Sequence, residues 1–164
     1  MSRVLFALTA LGGLFASAAA ASEPFAIDLE VRCGKASKIA HAESAAAGAK
    51  PKERAVLEVN AGDQITVHWK MSGADAKAKI EDVTVHFIAV KEDQAGQKMA
   101  AKLGKGVAAE SALIMDFGPK EINESELTFT IDKPGFYLFR VETIDAVGGG
   151  ASHESFAALD VKVR

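Results

Sequence analysis

Cysteine is nearly missing from this 164-residue chain: Cys33 stands alone, so no disulfide can form within it. Proline (4) and tryptophan (1) are also scarce, and no block of like charge or internal repeat interrupts the sequence. The formal net charge of -3 leaves no basic patch for nucleic acid and no polybasic surface for anionic lipid. The longest apolar run, Val4 to Phe15, has about 12 residues, short of the roughly 20 that span a bilayer. Catalytic signatures are missing as well. There is no G-x-S-x-G elbow, no EF-hand spacing, and no Lys-Ser/Thr pair after the glycine run Gly148-Gly149-Gly150.

What is present begins with an export signal. Arg3 opens an apolar stretch that ends in the small residues Ala16 to Ala21, the pattern of a secretory signal with an Ala-x-Ala cleavage region. Residues 1-21 are therefore expected as a removable signal-peptide helix and 22-164 as a single domain in the periplasm or outside the cell. Cleavage leaves 143 residues with a charge of -4, because Arg3 is the only charge lost. No membrane insertion is expected after cleavage. In an oxidising compartment the unpaired Cys33 reads as a small buried hydrophobe closing the first strand. The alternative is a reactive thiol, metal ligand or intermolecular bridge, with Lys35 and Lys38 close enough in sequence to lower its pKa.

With 49% hydrophobic and 25% charged residues, the chain has the makings of a globular core, and apolar residues recur at every second position. About seven to eight strands result. Ile27, Leu29, Val31 and Cys33 share one face of the first. Ala55, Leu57 and Val59, then Ile65, Val67 and Trp69, flank Asn60-Ala61-Gly62-Asp63 and read as a hairpin. Further inward faces are Val83, Val85, Phe87 and Ala89; Leu113, Met115 and Phe117; Leu127, Phe129 and Ile131; Tyr137, Phe139, Val141 and Thr143; and Ala157, Leu159, Val161 and Val163. Without βαβ alternation, this pattern predicts an all-β antiparallel sandwich. Residues 34-52 are expected as a long surface loop or short helical turn, and the Met99/Leu103 spacing allows a helical turn or two within 93-110.

The segment IDKPGFYLFRVET resembles the strand-turn-strand of immunoglobulin-like and fibronectin-type sandwiches, through Pro134, Gly135 and Tyr137. The resemblance implies that architecture, with Tyr137 anchoring a corner. A cupredoxin-like sandwich is the weaker resemblance, through AGDQITVHW and His86-Phe87. Neither Cys nor Met follows Met115, which excludes a blue-copper site with its late Cys and Met ligands.

Histidine offers the sharpest site hypothesis. His68 and His86 both point away from the expected inner face. If residues 65-70 pair antiparallel with 83-88, the two imidazoles lie opposite one another at about 5 Å and could share copper or zinc, with His41, His153 or Met71 as further candidate ligands. The plainer reading is two solvated side chains. Ser152-His153-Glu154 invites a hydrolase hypothesis, but neighbours on an extended segment point in different directions and cannot form a triad. Two functional readings follow: a non-enzymatic exported module that binds an unidentified protein or small ligand through loops 34-52, 71-82, 91-110 and 146-154, or a periplasmic copper/zinc-binding or metal-delivery protein using His68 and His86.

Overall fold

In a computed structural model of the chain, residues 25-44, 53-73, 79-95, 106-145 and 152-164 are described. The expected signal helix and the Met99/Leu103 turn lie outside them. The elements are β1 (Phe25–Cys33), β2 (Ala36–His41), β3 (Glu43–Ser44), β4 (Val56–Val59), β5 (Gln64–Gly73), β6 (Ile80–Glu92), β7 (Val107–Phe117), β8 (Ile122–Thr130), β9 (Gly135–Asp145) and β10 (Ser152–Val163). They form two sheets. The first runs β2-β1-β5-β8 and the second β3-β10-β9-β6-β7, with β4 also on β10. The protein is thus an all-β sandwich, in keeping with the immunoglobulin-like resemblance, and no helix occurs among the described residues.

Period-2 burial builds the core. Phe25, Ile27, Leu29 and Val31 of β1, Ile65, Val67, Trp69 and Met71 of β5, Val85, Phe87 and Ala89 of β6, and Ala157, Leu159, Val161 and Val163 of β10 are all buried in one cluster. Phe87 lies at its centre, stacked on Trp69 across the sandwich with centroids 5.8 Å apart and edge-on to Phe139 at 5.9 Å. The corner after Pro134 forms as the resemblance implied. Gly135 takes φ 148°, open to glycine but strained for other residues, and the Tyr137 hydroxyl donates to the Lys133 carbonyl at 2.7 Å.

Two expectations are corrected. β4 and β5 are not a hairpin: β4 runs parallel to β10 in one sheet, while β5 lies between β1 and β8 in the other. The Asn60–Asp63 turn crosses between sheets because its backbone bonds outward, Ala61 N–H to the Arg164 carbonyl and Gly62 N–H to the Ile131 carbonyl. Residues 34-52 are not all loop, since Gly34 (φ 56°) turns β1 into β2 and β3 pairs with β10. β2 was hidden because it lies mostly exposed at a sheet edge, so nothing selects alternation along ASKIAH.

The second sheet also has a buried outer face. Ile88, Val90 and Leu138 form a small apolar cluster there, so β6 is apolar on both sides through its middle. In the sequence this shows as VHFIAV, an almost continuous apolar run in place of strict alternation.

Candidate functional site

The antiparallel pairing of 65-70 with 83-88 that was to unite the histidines does not form, since β5 pairs with β1 and β8 and β6 with β7 and β9. His68 stands on β5 opposite Glu30 of β1 and Glu126 of β8, and its Nε2 lies 3.2 Å from Glu124 Oε2. His86 stands on β6 between Ala112 of β7 and Glu142 of β9. The two strands belong to different sheets, and both imidazoles point away from a core that includes the Trp69–Phe87 stack. Packed sheets lie about 10 Å apart, so side chains on their opposite outer faces cannot meet at one ion. The shared copper or zinc site built on that pairing is therefore not assembled. His41 bonds Asp28 at 2.6 Å elsewhere, and Met71 is in the core. The side chain of His153 lies outside the described residues, as does the glycine run. Among the described residues, no three His, Cys, Asp or Glu side chains gather to hold a metal ion.

Cys33 is half-buried rather than fully buried, and its thiol donates to Asp63 Oδ2 at 3.7 Å. Burial, then the Asp63 charge and hydrogen bond, push the thiol pKa up. The lysines nearby in sequence do not reverse this, so the environment disfavours the nucleophilic thiolate.

The outer face of the second sheet gathers residues that spacing could not connect. Arg54, just before β4, reaches over β10: its Nε donates to Asp160 Oδ1 at 2.6 Å and an NH2 donates to Glu92 Oε2 at 3.0 Å. Asp160 and Glu92 are 1% and 4% exposed. Beside them, Arg140 pairs with Glu142 and lies over the Phe156 ring at 4.5 Å from its centroid. Glu142 Oε1 is 3.2 Å from His86 Nδ1, and Glu110 Oε1 is 2.8 Å from His86 Nε2. His86 points away from the sandwich core, as its phase requires, but it is only 8% exposed. Burial lowers the Arg140 pKa against the opposing pull of Glu142, and its Nε has no hydrogen-bond partner among the described residues.

Burial pushes Glu92 up to about 7 from its ordinary 4.5; Arg54 opposes the rise and Asp160 adds to it. The unfolded chain therefore gives up this proton at lower pH than the folded one. Its contribution to stability is full below about pH 4.5, falls through the interval to about 7, and then levels, a loss on the order of 3 kcal/mol. Urea unfolding at pH 5 and pH 8 should show that loss in wild type and a flatter profile in Glu92→Gln. Equal pH dependence in the two proteins would remove Glu92 as its source.

The edges of the sheets differ in kind. β2 is short and carries Lys38, β3 and β4 are two and four residues long, and β8 presents Glu124 and Glu126. Short length and charge are the ordinary protections of an edge against strand addition. β7 is longer. It is eleven residues, VAAESALIMDF, with no Lys, Pro or Gly; Val107 and Leu113 are 38% and Ile114 is 73% exposed. Leu113 and Ile114 are neighbours and so expose apolar surface on opposite faces of one strand.

No family model matches the chain. No curated protein matches it either. Among solved structures it is similar to the CARDB domain of PF1109 from Pyrococcus furiosus, at 14% identity and TM-score 0.43, covering 86% of this chain and 96% of that one. It is also similar to the C-terminal domain of wzt (7% identity, TM-score 0.46, 83% and 70% covered) and to the N-terminal domain of PorA (12% identity, TM-score 0.35, 83% and 97% covered). At these values the likeness bears on no ligand, partner or location.

Proposed function

We propose that this chain is an exported, non-enzymatic interaction module that engages a protein partner by strand addition at β7. The observation that carries the reading is the eleven-residue edge with exposed Val107, Leu113 and Ile114. A partner strand would take main-chain hydrogen bonds from β7 and seat side chains against those residues. The loops at 34-52, 71-82, 91-110 and 146-154 were the expected recognition elements. At a sheet edge the main-chain groups are already ordered by pairing with β6. Export rests on the signal pattern of residues 1-21.

A photo-reactive residue at position 114, introduced in intact exporting cells, is expected to give a discrete adduct on a chain lacking residues 1-21. The same residue at position 122, an exposed isoleucine on the other sheet (62% exposed), serves as control. No discrete adduct at 114, or equal adducts at both positions, would overturn the proposal.

A further inference from the structure

Resting on β7 as the recognition edge, we infer that His86 is a proton-operated latch on it: the charged imidazole holds the Glu110 carboxylate against β6, and the neutral one releases that carboxylate onto the edge. His86 stands in the middle of β6, with Ala112 of β7 opposite on one side and Glu142 of β9 on the other. Both ring nitrogens face carboxylate oxygens, Nδ1 at 3.2 Å from Glu142 Oε1 and Nε2 at 2.8 Å from Glu110 Oε1. An ionised carboxylate only accepts, so both contacts are hydrogen bonds only while both nitrogens carry a proton. His86 then ties three strands together through side chains. The other groups on this face leave the decision to those two acids. On β6 the outward neighbours Thr84 and Ile88 do not ionise, nor do Ala108, Ala112 and Ile114 on β7. On β9 Arg140 pairs with Glu142, and the uncharged Phe156 of β10 stands opposite Glu142. Arg54 joins Glu92 and Asp160 further along the face.

When the imidazole gives a proton to water, its two nitrogens are not equivalent. The Glu142 side chain is 2% exposed and paired with Arg140, so it stays in place and keeps the Nδ1 proton; the Glu110 side chain is 57% exposed and can turn outward. Nε2 therefore loses the proton, its lone pair meets the carboxylate oxygen, and Glu110 swings to solvent. Asp116, the other acid of β7, takes no part. Its partner is Lys79 Nζ at 3.1 Å, and lysine keeps its charge where imidazoles titrate. As pH rises β7 thus gains one uncompensated negative charge, and charge on an edge strand opposes strand addition. Recognition is favoured in acid, and by reciprocity a strand seated on β7 favours the charged imidazole.

The test follows the mature chain, isotope-labelled at histidine and glutamate, by NMR between about pH 5 and about pH 8. His86 should pass from doubly protonated to the Nδ1–H tautomer, and the Glu110 carboxyl should shift with the same midpoint. In exporting cells the adduct from position 114 should fall about fivefold as external pH rises over that range, and should stay level in Glu110→Gln, whose amide accepts from the imidazolium or donates to a bare Nε2 without carrying charge. The Nε2–H tautomer, a His86 that keeps one protonation state throughout, or a Glu110 signal that ignores its midpoint overturns the latch. A discrete adduct of constant yield overturns its control of recognition. No discrete adduct at any pH overturns strand addition at β7, while the titration of the isolated chain still decides the latch.

Discussion

Phe87→Ala should cost about 3–5 kcal/mol, a large share of the roughly 5–15 kcal/mol that holds a domain of this size folded. Phe87 is fully buried on β6, and its ring touches aromatic neighbours from both sheets: Trp69 of β5 stacked at 5.8 Å, Phe129 of β8 tilted at 6.0 Å and Phe139 of β9 edge-on at 5.9 Å. Truncation loses the transfer energy of the ring and opens a cavity that two hydrogen-bonded sheets cannot collapse to fill. It also removes three ring pairs, each worth about 0.5–1.5 kcal/mol beyond area burial. Phe87→Leu keeps most of the volume and should lose much less. Phe136→Ala, at a half-buried position over which Lys162 Nζ lies 5.9 Å from the ring centroid, is the control and should cost about 1 kcal/mol. Urea unfolding of the three variants checks the order. A Phe87→Ala loss no greater than that of Phe136→Ala would mean that this aromatic group does not bind the sheets together.

Side-chain phase was legible in the sequence, and strand pairing was not. The inward residues of β1, β5, β6, β9 and β10 follow from alternation because each faces one dry core, which a one-residue slip would expose to water. The Pro134-Gly135-Tyr137 corner was legible for a local reason, since the turn, the glycine dihedral and the tyrosine bond lie within a few residues. Pairing depends on contacts distant in sequence. Nothing in Asn60-Ala61-Gly62-Asp63 reveals that its amides bond to Ile131 and Arg164, so a turn between sheets looks like a hairpin. The histidine hypothesis inherited that difficulty, as its two-residue site required β5 to lie beside β6.

The outer face was illegible for a different reason. Outward phase at His86 was equated with exposure to solvent, yet it is buried, as are Ile88, Val90 and Leu138 on the same face. Its charges come from Arg54, Glu92, Arg140, Glu142 and Asp160, which share no spacing a motif could capture. The apolar run around Ile88 was the available signal, because a strand wet on one side has no reason to lose its polar positions. The edge strand β7 was half legible: Leu113, Met115 and Phe117 were assigned inward, but Leu113 remains 38% exposed where an edge has no further strand to shelter it.

Arg54→Ala should cost a comparable 3–5 kcal/mol at pH 8, through electrostatics rather than cavity formation. The guanidinium lies between Asp160 and Glu92, reaching the first at 2.6 Å and the second at 3.0 and 3.2 Å. Removing it leaves two buried carboxylates as neighbours without the cation that offset their desolvation, and the protein can relieve this only by holding a proton or opening the face. The cost should therefore fall at pH 5. There Glu92, already pushed up to about 7 in wild type, is protonated, and one of the two charges is gone. Arg54→Lys should fall between, because a point charge cannot fork to two carboxylates as a planar guanidinium does. Glu92→Gln in the Arg54→Ala background should restore part of the stability at pH 8 and little at pH 5, since only at the higher pH does it remove a charge. Urea unfolding of these proteins at both pH values decides the matter. An Arg54→Ala loss independent of pH would refute its role as the shared counter-ion of Asp160 and Glu92.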